Sequence, residues 1–105
     1  MHAPPILLMS EGKKFFLLVV EGCAGCEEVK KQLEELRIKH EVRDVSVDRE
    51  AALFALKLEV DAVPQVVSRE DAGDSFRLCR YNDELREEKC VSVSKEEYER
   101  LLREG

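Results

Sequence analysis

The sequence predicts one mixed α/β domain of order β-α-β-α-β-β-α, a four-stranded mixed sheet flanked by helices. Three observations carry that prediction. A short continuous apolar run, Phe15–Val20, passes directly into a segment of helical periodicity. Two further strand-like stretches follow a second helical pattern, and a capping signature opens a last helix near residue 94. The length of 105 residues supports a single hydrophobic core.

Each element has its own reason. Phe15-Phe16-Leu17-Leu18-Val19-Val20 has the length and bulk of a strand buried on both faces. Beyond it, Val29, Leu33 and Leu36 recur at helical spacing while Glu27, Glu28, Lys30, Lys31, Glu34 and Glu35 face outward, predicting a helix over 24–37. Glu27 and Lys31 form an i,i+4 pair in the favourable orientation. Val42, Val45 and Val47 mark a strand over 41–47, and Asp48 reads as the N-cap of a second helix through Ala51, Leu53, Phe54 and Leu56.

After Val63-Pro64, Gln65-Val66-Val67 opens a strand; the turn-rich stretch 70–74 leads to another over Phe76–Tyr81. The first β-α-β unit calls for a parallel pair, and the short link between residues 68 and 75 for an antiparallel one. Ser94 and Glu97 match a capping box, with Val93 and Tyr98 as its hydrophobic staple. Residues 1–12 read as a tail and 13–105 as the domain.

Composition narrows the function. A formal charge of −6 argues against general binding to nucleic acid or an anionic membrane. No stretch approaches the ~20 apolar residues of a membrane span. The apolar N-terminal segment lacks the basic flank of a signal peptide, so a cytoplasmic location is the default expectation. His2 and His40 lack partners for a Cys-His catalytic pair, and no Gly-rich phosphate loop is present.

The chemistry concentrates in Cys23-Ala24-Gly25-Cys26, where the first strand gives way to the first helix. Two thiols at this spacing form a ready dithiol/disulfide couple; in a polar loop the same tetrapeptide would be half of a zinc site. Cys23 falls just before the helix, where free backbone N–H groups and the helix dipole favour a thiolate. Cys26 falls on the inward face with Val29 and Leu33. That asymmetry assigns Cys23 as nucleophile and Cys26 as resolving thiol. Glu21, Glu27 and Glu28 oppose thiolate formation at Cys23, so a less acidic nucleophile is expected than in strongly oxidising proteins.

With Cys23-Ala24-Gly25-Cys26 after the first strand and Val63-Pro64 before the third, the chain resembles the thioredoxin superfamily in its short, glutaredoxin-like form, over about 13–104. The resemblance implies a thioredoxin fold and a cis Val63–Pro64 bond facing the cysteines. It also implies a substrate site formed by Gly22, Ala24, Gly25, Val63 and Pro64, the backbone of Val63 pairing with an extended substrate. The implied activity is thiol–disulfide oxidoreduction on a disulfide-bearing protein or small molecule, by a monomer. No tightly bound cofactor and no metal are expected; a partner reductase or a thiol such as glutathione supplies electrons. The chain departs from its relatives in lacking a proline between the cysteines and an acid within the first strand. Lys89–Ser94 stands where glutaredoxins carry a Gly-Gly-x-Asp-like turn.

Cys79 and Cys90 form a second thiol pair. With Glu84-Leu85 as a hairpin turn they become directly opposed, leaving open buried thiols, a structural disulfide or a second exchange couple. Two other functions compete with exchange at Cys23: a zinc-binding module using Cys23, Cys26, Cys79 and Cys90, and a non-catalytic thioredoxin-like adaptor.

Overall fold

The computed structural model describes residues 12–104, so most of the expected tail lies outside the described residues. The elements are β1 (Lys13–Val19), α1 (Cys26–Glu35), β2 (His40–Asp44), α2 (Arg49–Lys57), β3 (Gln65–Asp71), β4 (Ser75–Tyr81), β5 (Glu87–Ser94) and α3 (Lys95–Glu104). The strands form one mixed sheet in the order β2-β1-β3-β4-β5. β1 and β2 are parallel and the other neighbours antiparallel.

The sheet has five strands rather than four. The added strand, β5, begins with the charged run Glu87-Glu88-Lys89, which masks the short alternation that follows it. β5 reverses the chain once more before α3. That helix consequently packs with α2: Lys57 pairs with Glu97 at 2.9 Å, and Arg49 donates to the carbonyls of Leu102 and Arg103. α1 lies on the opposite face.

β1 separates two apolar clusters. Phe16 and Leu18 point to Phe54, Leu58 and Tyr98 on the α2/α3 side, while Leu17 meets Leu33 of α1, Val66 and Tyr81 on the other. All three β1 residues are fully buried, so the uninterrupted apolar run in sequence reflects a strand covered on both faces.

Local chemistry sets the element ends. α1 stops two residues before the predicted end because Arg37 adopts a left-handed φ of 59°. The N–H of Ile38 then reaches Leu33 O at 2.9 Å and that of Arg37 reaches Glu34 O at 3.0 Å, a Schellman closure with Ile38 packed in the same cluster as Leu33. α2 begins as expected, the Asp48 carboxylate accepting from Ala51 N at 2.8 Å. At its other end Arg80 donates to the carbonyls of Leu58 and Glu59 at 2.9 and 2.8 Å.

β2 ends at Asp44, three residues short of the predicted strand end. The Asp44 carboxylate accepts from Ser46 N at 2.8 Å and Ser46 Oγ at 2.6 Å, closing a turn that leaves Val47 80% exposed. β3 extends through Glu70 and Asp71, which sequence placed in a turn. The Ser94 hydroxyl accepts from Glu97 N at 3.0 Å at the start of α3, and Val93 and Tyr98 are both buried.

Candidate active site

The site is built where β1 runs out. Val20 O accepts from Cys23 N at 3.2 Å, closing a turn through Glu21 and Gly22, with Gly22 at φ 77°. Gly25 precedes the first helical residue at φ 89°, ψ −12°, a conformation that strains any side chain, and its carbonyl accepts from Val29 N at 3.2 Å. The glycine therefore shapes the turn that sets Cys23 against the helix. No side chain caps α1. The first N–H groups of the helix are left without intrahelical acceptors beside the cysteines.

Cys23 and Cys26 are joined in a disulfide with Cα atoms 5.6 Å apart. Cys26 is buried at 9% exposure, and Cys23 is half-buried between the exposed Gly22 and Ala24. Cys26, at the first position of α1, is thus the more buried of the two and Cys23 the less buried. Glu21, Glu27 and Glu28 are exposed, the last two in the first turn of α1.

On the β3 side, the Val63–Pro64 bond is cis, as the resemblance implied. Leu18 pairs with Gln65, so Pro64 stands one residue beyond the end of that ladder, at the same end of the sheet as the disulfide. Val63 lies outside the ladder pairs of β3, and its side chain packs against the α2/α3 cluster. On the β2 side, Leu17, Val19, Val42, Cys23, Cys26 and Lys30 line a concavity. Val42, one of the apolar positions that marked the strand in sequence, is 44% exposed, on a strand at the margin of the described sheet.

Cys79 and Cys90 are also joined, with Cα atoms 4.1 Å apart. They are opposed across β4 and β5, in the register expected from sequence, although by a different turn. The connection spans 82–86, with the Asn82 side-chain oxygen accepting from Glu84 N at 2.9 Å and Arg86 N at 3.0 Å. Leu85 takes φ 61°, and a bulge at Arg80/Tyr81 restores the pairing. Neither thiol is free.

A four-cysteine zinc centre is not assembled. Cys79 lies opposite Ser68, which lies opposite Phe15, at the far end of β1 from Cys23. The four residue steps from Phe15 to Val19 alone span about 13 Å. Two sulfurs sharing one zinc ion lie about 3.8 Å apart.

One polar cluster escaped sequence reading. Glu50 receives Arg43 at 3.1 Å and also meets Arg69 and the Tyr98 hydroxyl, on the α2/α3 side. Burial, followed by the Glu50 contact, pushes the Tyr98 hydroxyl well above the ordinary phenol range. The cluster ties α2 to β3 and α3.

A family model described as Glutaredoxin matches residues 12–71, covering β1 through β3 with both Cys23-Ala24-Gly25-Cys26 and Val63-Pro64. No curated protein and no solved structure matches the chain.

Proposed function

The chain belongs to the glutaredoxin family, whose chemistry is of the thiol–disulfide oxidoreductase type, and on that premise we propose that it is a disulfide reductase working through the Cys23/Cys26 dithiol. The observation that carries the reading is the asymmetric Cys23–Cys26 pair at the strand–helix junction. In the reduced protein the Cys23 thiolate attacks one sulfur of the substrate disulfide, and the other substrate sulfur leaves as a thiolate and takes up a proton. Cys26 then loses its proton and attacks Cys23 Sγ in the mixed disulfide, releasing the second substrate thiol. Two electrons have passed to the substrate, and the protein is left with the Cys23–Cys26 bond. A partner reductase, or a thiol such as glutathione, returns those electrons.

The substrate segment lies over Gly22, Ala24 and Gly25, whose exposed backbone leaves Cys23 accessible. The free backbone groups of Val63, fixed in direction by the following proline, pair with it as a single rung of added strand. Substrates are disulfide-bearing proteins or small molecules, and the protein acts as a cytoplasmic monomer. The test is reduction of insulin disulfides, driven either by NADPH and a thioredoxin reductase or by glutathione and its reductase. Turnover in one arm identifies the electron donor; no turnover in either favours a non-catalytic adaptor.

A further inference from the structure

The second disulfide stands outside the residues matched by the family model, at the β4–β5 margin of the apolar cluster to which α1 contributes. α2 and α3 pack on the other face, and α1 contributes Leu33 and Val29 to the cluster over β1 and β3. Cys79 is 1% exposed, held at the margin of that cluster beside Tyr81, whereas Cys90 is half-buried. Beyond them the open face is polar. Arg77 binds both oxygens of Glu87, at 2.9 and 3.1 Å, and Ser75 meets Ser92 across the β4–β5 ladder.

The Glu87 carboxylate is drawn to the cysteines by this arrangement. One oxygen from Glu87 and the sulfurs of Cys79 and Cys90 all lie within 4.8 Å of one another. Cys90 Sγ and Glu87 Oε1 are 3.6 Å apart. A tetrahedral ion with bonds of ~2.3 Å to sulfur and ~2.1 Å to oxygen sets a sulfur–oxygen separation of about 3.6 Å. It sets two sulfurs about 3.8 Å apart. One of the two required spacings is therefore already in place, and the other needs only the sulfur–sulfur bond to open. Cys79 is fixed by burial, so the half-buried Cys90 is the side chain that moves.

We propose that Cys79, Cys90 and Glu87 become, when their disulfide is reduced, a three-ligand site for a thiophilic divalent cation of the Zn2+ class. A thiol or dithiol reductant supplies two electrons and two protons and is itself oxidised to a disulfide. The cation then displaces the two thiol protons and binds two thiolates and one carboxylate. Solvent takes the fourth position on the side of the exposed Glu87. Arg77 orients the carboxylate from behind as an outer partner. A disulfide-bearing oxidant takes two electrons from the thiolates by thiol–disulfide exchange, the Cys79–Cys90 bond re-forms, the oxidant leaves as two thiols after taking up two protons from solvent, and the ion is released, so occupancy follows the redox state. This chemistry is independent of exchange at Cys23.

The test uses the C23S/C26S variant, which removes the other thiol pair, titrated with Co2+ after reduction by a phosphine and separation from it. One equivalent should bind with an intense near-ultraviolet sulfur-to-cobalt charge-transfer band, and Zn2+ should displace it. The same protein with Cys79–Cys90 oxidised should bind none with that signature. Glu87→Gln in this background should weaken binding at least about tenfold, and Arg77→Gln about tenfold. Absence of the charge-transfer band in the reduced protein, or the same band in the oxidised one, overturns the proposal. So does unchanged affinity in the Glu87→Gln variant. Failure of disulfide reductase activity in the wild-type protein leaves this result untouched.

Discussion

The two disulfides of this protein are the same bond in opposite settings. Cys23–Cys26 spans three residues at a glycine-shaped turn, with one sulfur accessible and free helix N–H groups beside it. Cys79–Cys90 spans eleven residues but joins opposed positions of two paired strands, with Cys79 almost wholly buried. The first can open and close with little disturbance beyond its turn. The second is a cross-link between elements already aligned by a ladder. Backbone context, not the presence of a cysteine pair, separates the two.

The largest expected effect tests the first half of that contrast. Cys23→Ser should reduce insulin-disulfide turnover to the uncatalysed background. Cys26→Ser should instead accumulate a mixed disulfide, visible as a mass increase that a reductant removes. Equal behaviour of the two variants would erase the asymmetry on which the assignment rests.

Next comes the fastening role. The Cys79→Ser/Cys90→Ser double variant should lose about 3 kcal/mol of unfolding free energy under oxidising conditions, from loop-closure entropy alone. Denaturant unfolding measures it, and the gap from wild type should close once both are reduced. A gap that persists after reduction would assign the loss to packing of the thiols.

A smaller effect probes the wall beside that cross-link. Ser68 is 1% exposed, and its hydroxyl meets the Tyr81 hydroxyl at 2.9 Å. Tyr81→Phe leaves it unpaired and should cost about 1–2 kcal/mol in the same unfolding measurement. Unchanged stability would mean that water replaces the lost partner.

The smallest effect concerns acid. The hydrogen bond from Lys14, then that from Arg43, lowers the Glu41 carboxyl from 4.5 to about 2, tying β2 to β1 at the end of the pair away from Cys23. Its folded-state value lies below its unfolded one. Its contribution is therefore present above about pH 4.5 and is lost as the pH falls toward 2. Thermal unfolding between pH 6 and pH 2 should decline less steeply in Glu41→Gln than in wild type. Parallel profiles would show that solvent screens the pair completely.

Much of the candidate site was legible because local rules decide it. The Phe15–Val20 run identified the central strand, and helix phase from Val29 and Leu33 oriented Cys26 inward. Asp48 and Ser94 marked helix starts through side-chain chemistry that needs no tertiary partner. The structure differed where a distant contact or a polar side chain intervened. Asp44 folded its carboxylate onto Ser46 and cut β2 short. β5 was left out of the strand count because its first residues are charged, although the hairpin assumed for Cys79 and Cys90 already implied it; pairing with β4 stabilises those residues as strand. The Cys79–Cys90 register was readable from counting, but the Asn82 turn and the bulge that achieve it were not. Glu87 entered the picture only through its neighbours: nothing in Glu87-Glu88-Lys89 singles out the residue that faces the sulfurs.

The order β2-β1-β3-β4-β5 leaves β2 and β5 as the outermost strands. Among the described residues each presents a row of unused main-chain donors and acceptors, a template on which another copy could grow a continuous fibril. β2 is only five residues long and carries His40, Glu41, Arg43 and Asp44, while β5 opens with Glu87-Glu88-Lys89. Shortness on one side and ionised groups on both disfavour stacking of identical chains. The charges that concealed β5 from sequence reading also act as gatekeepers against self-association.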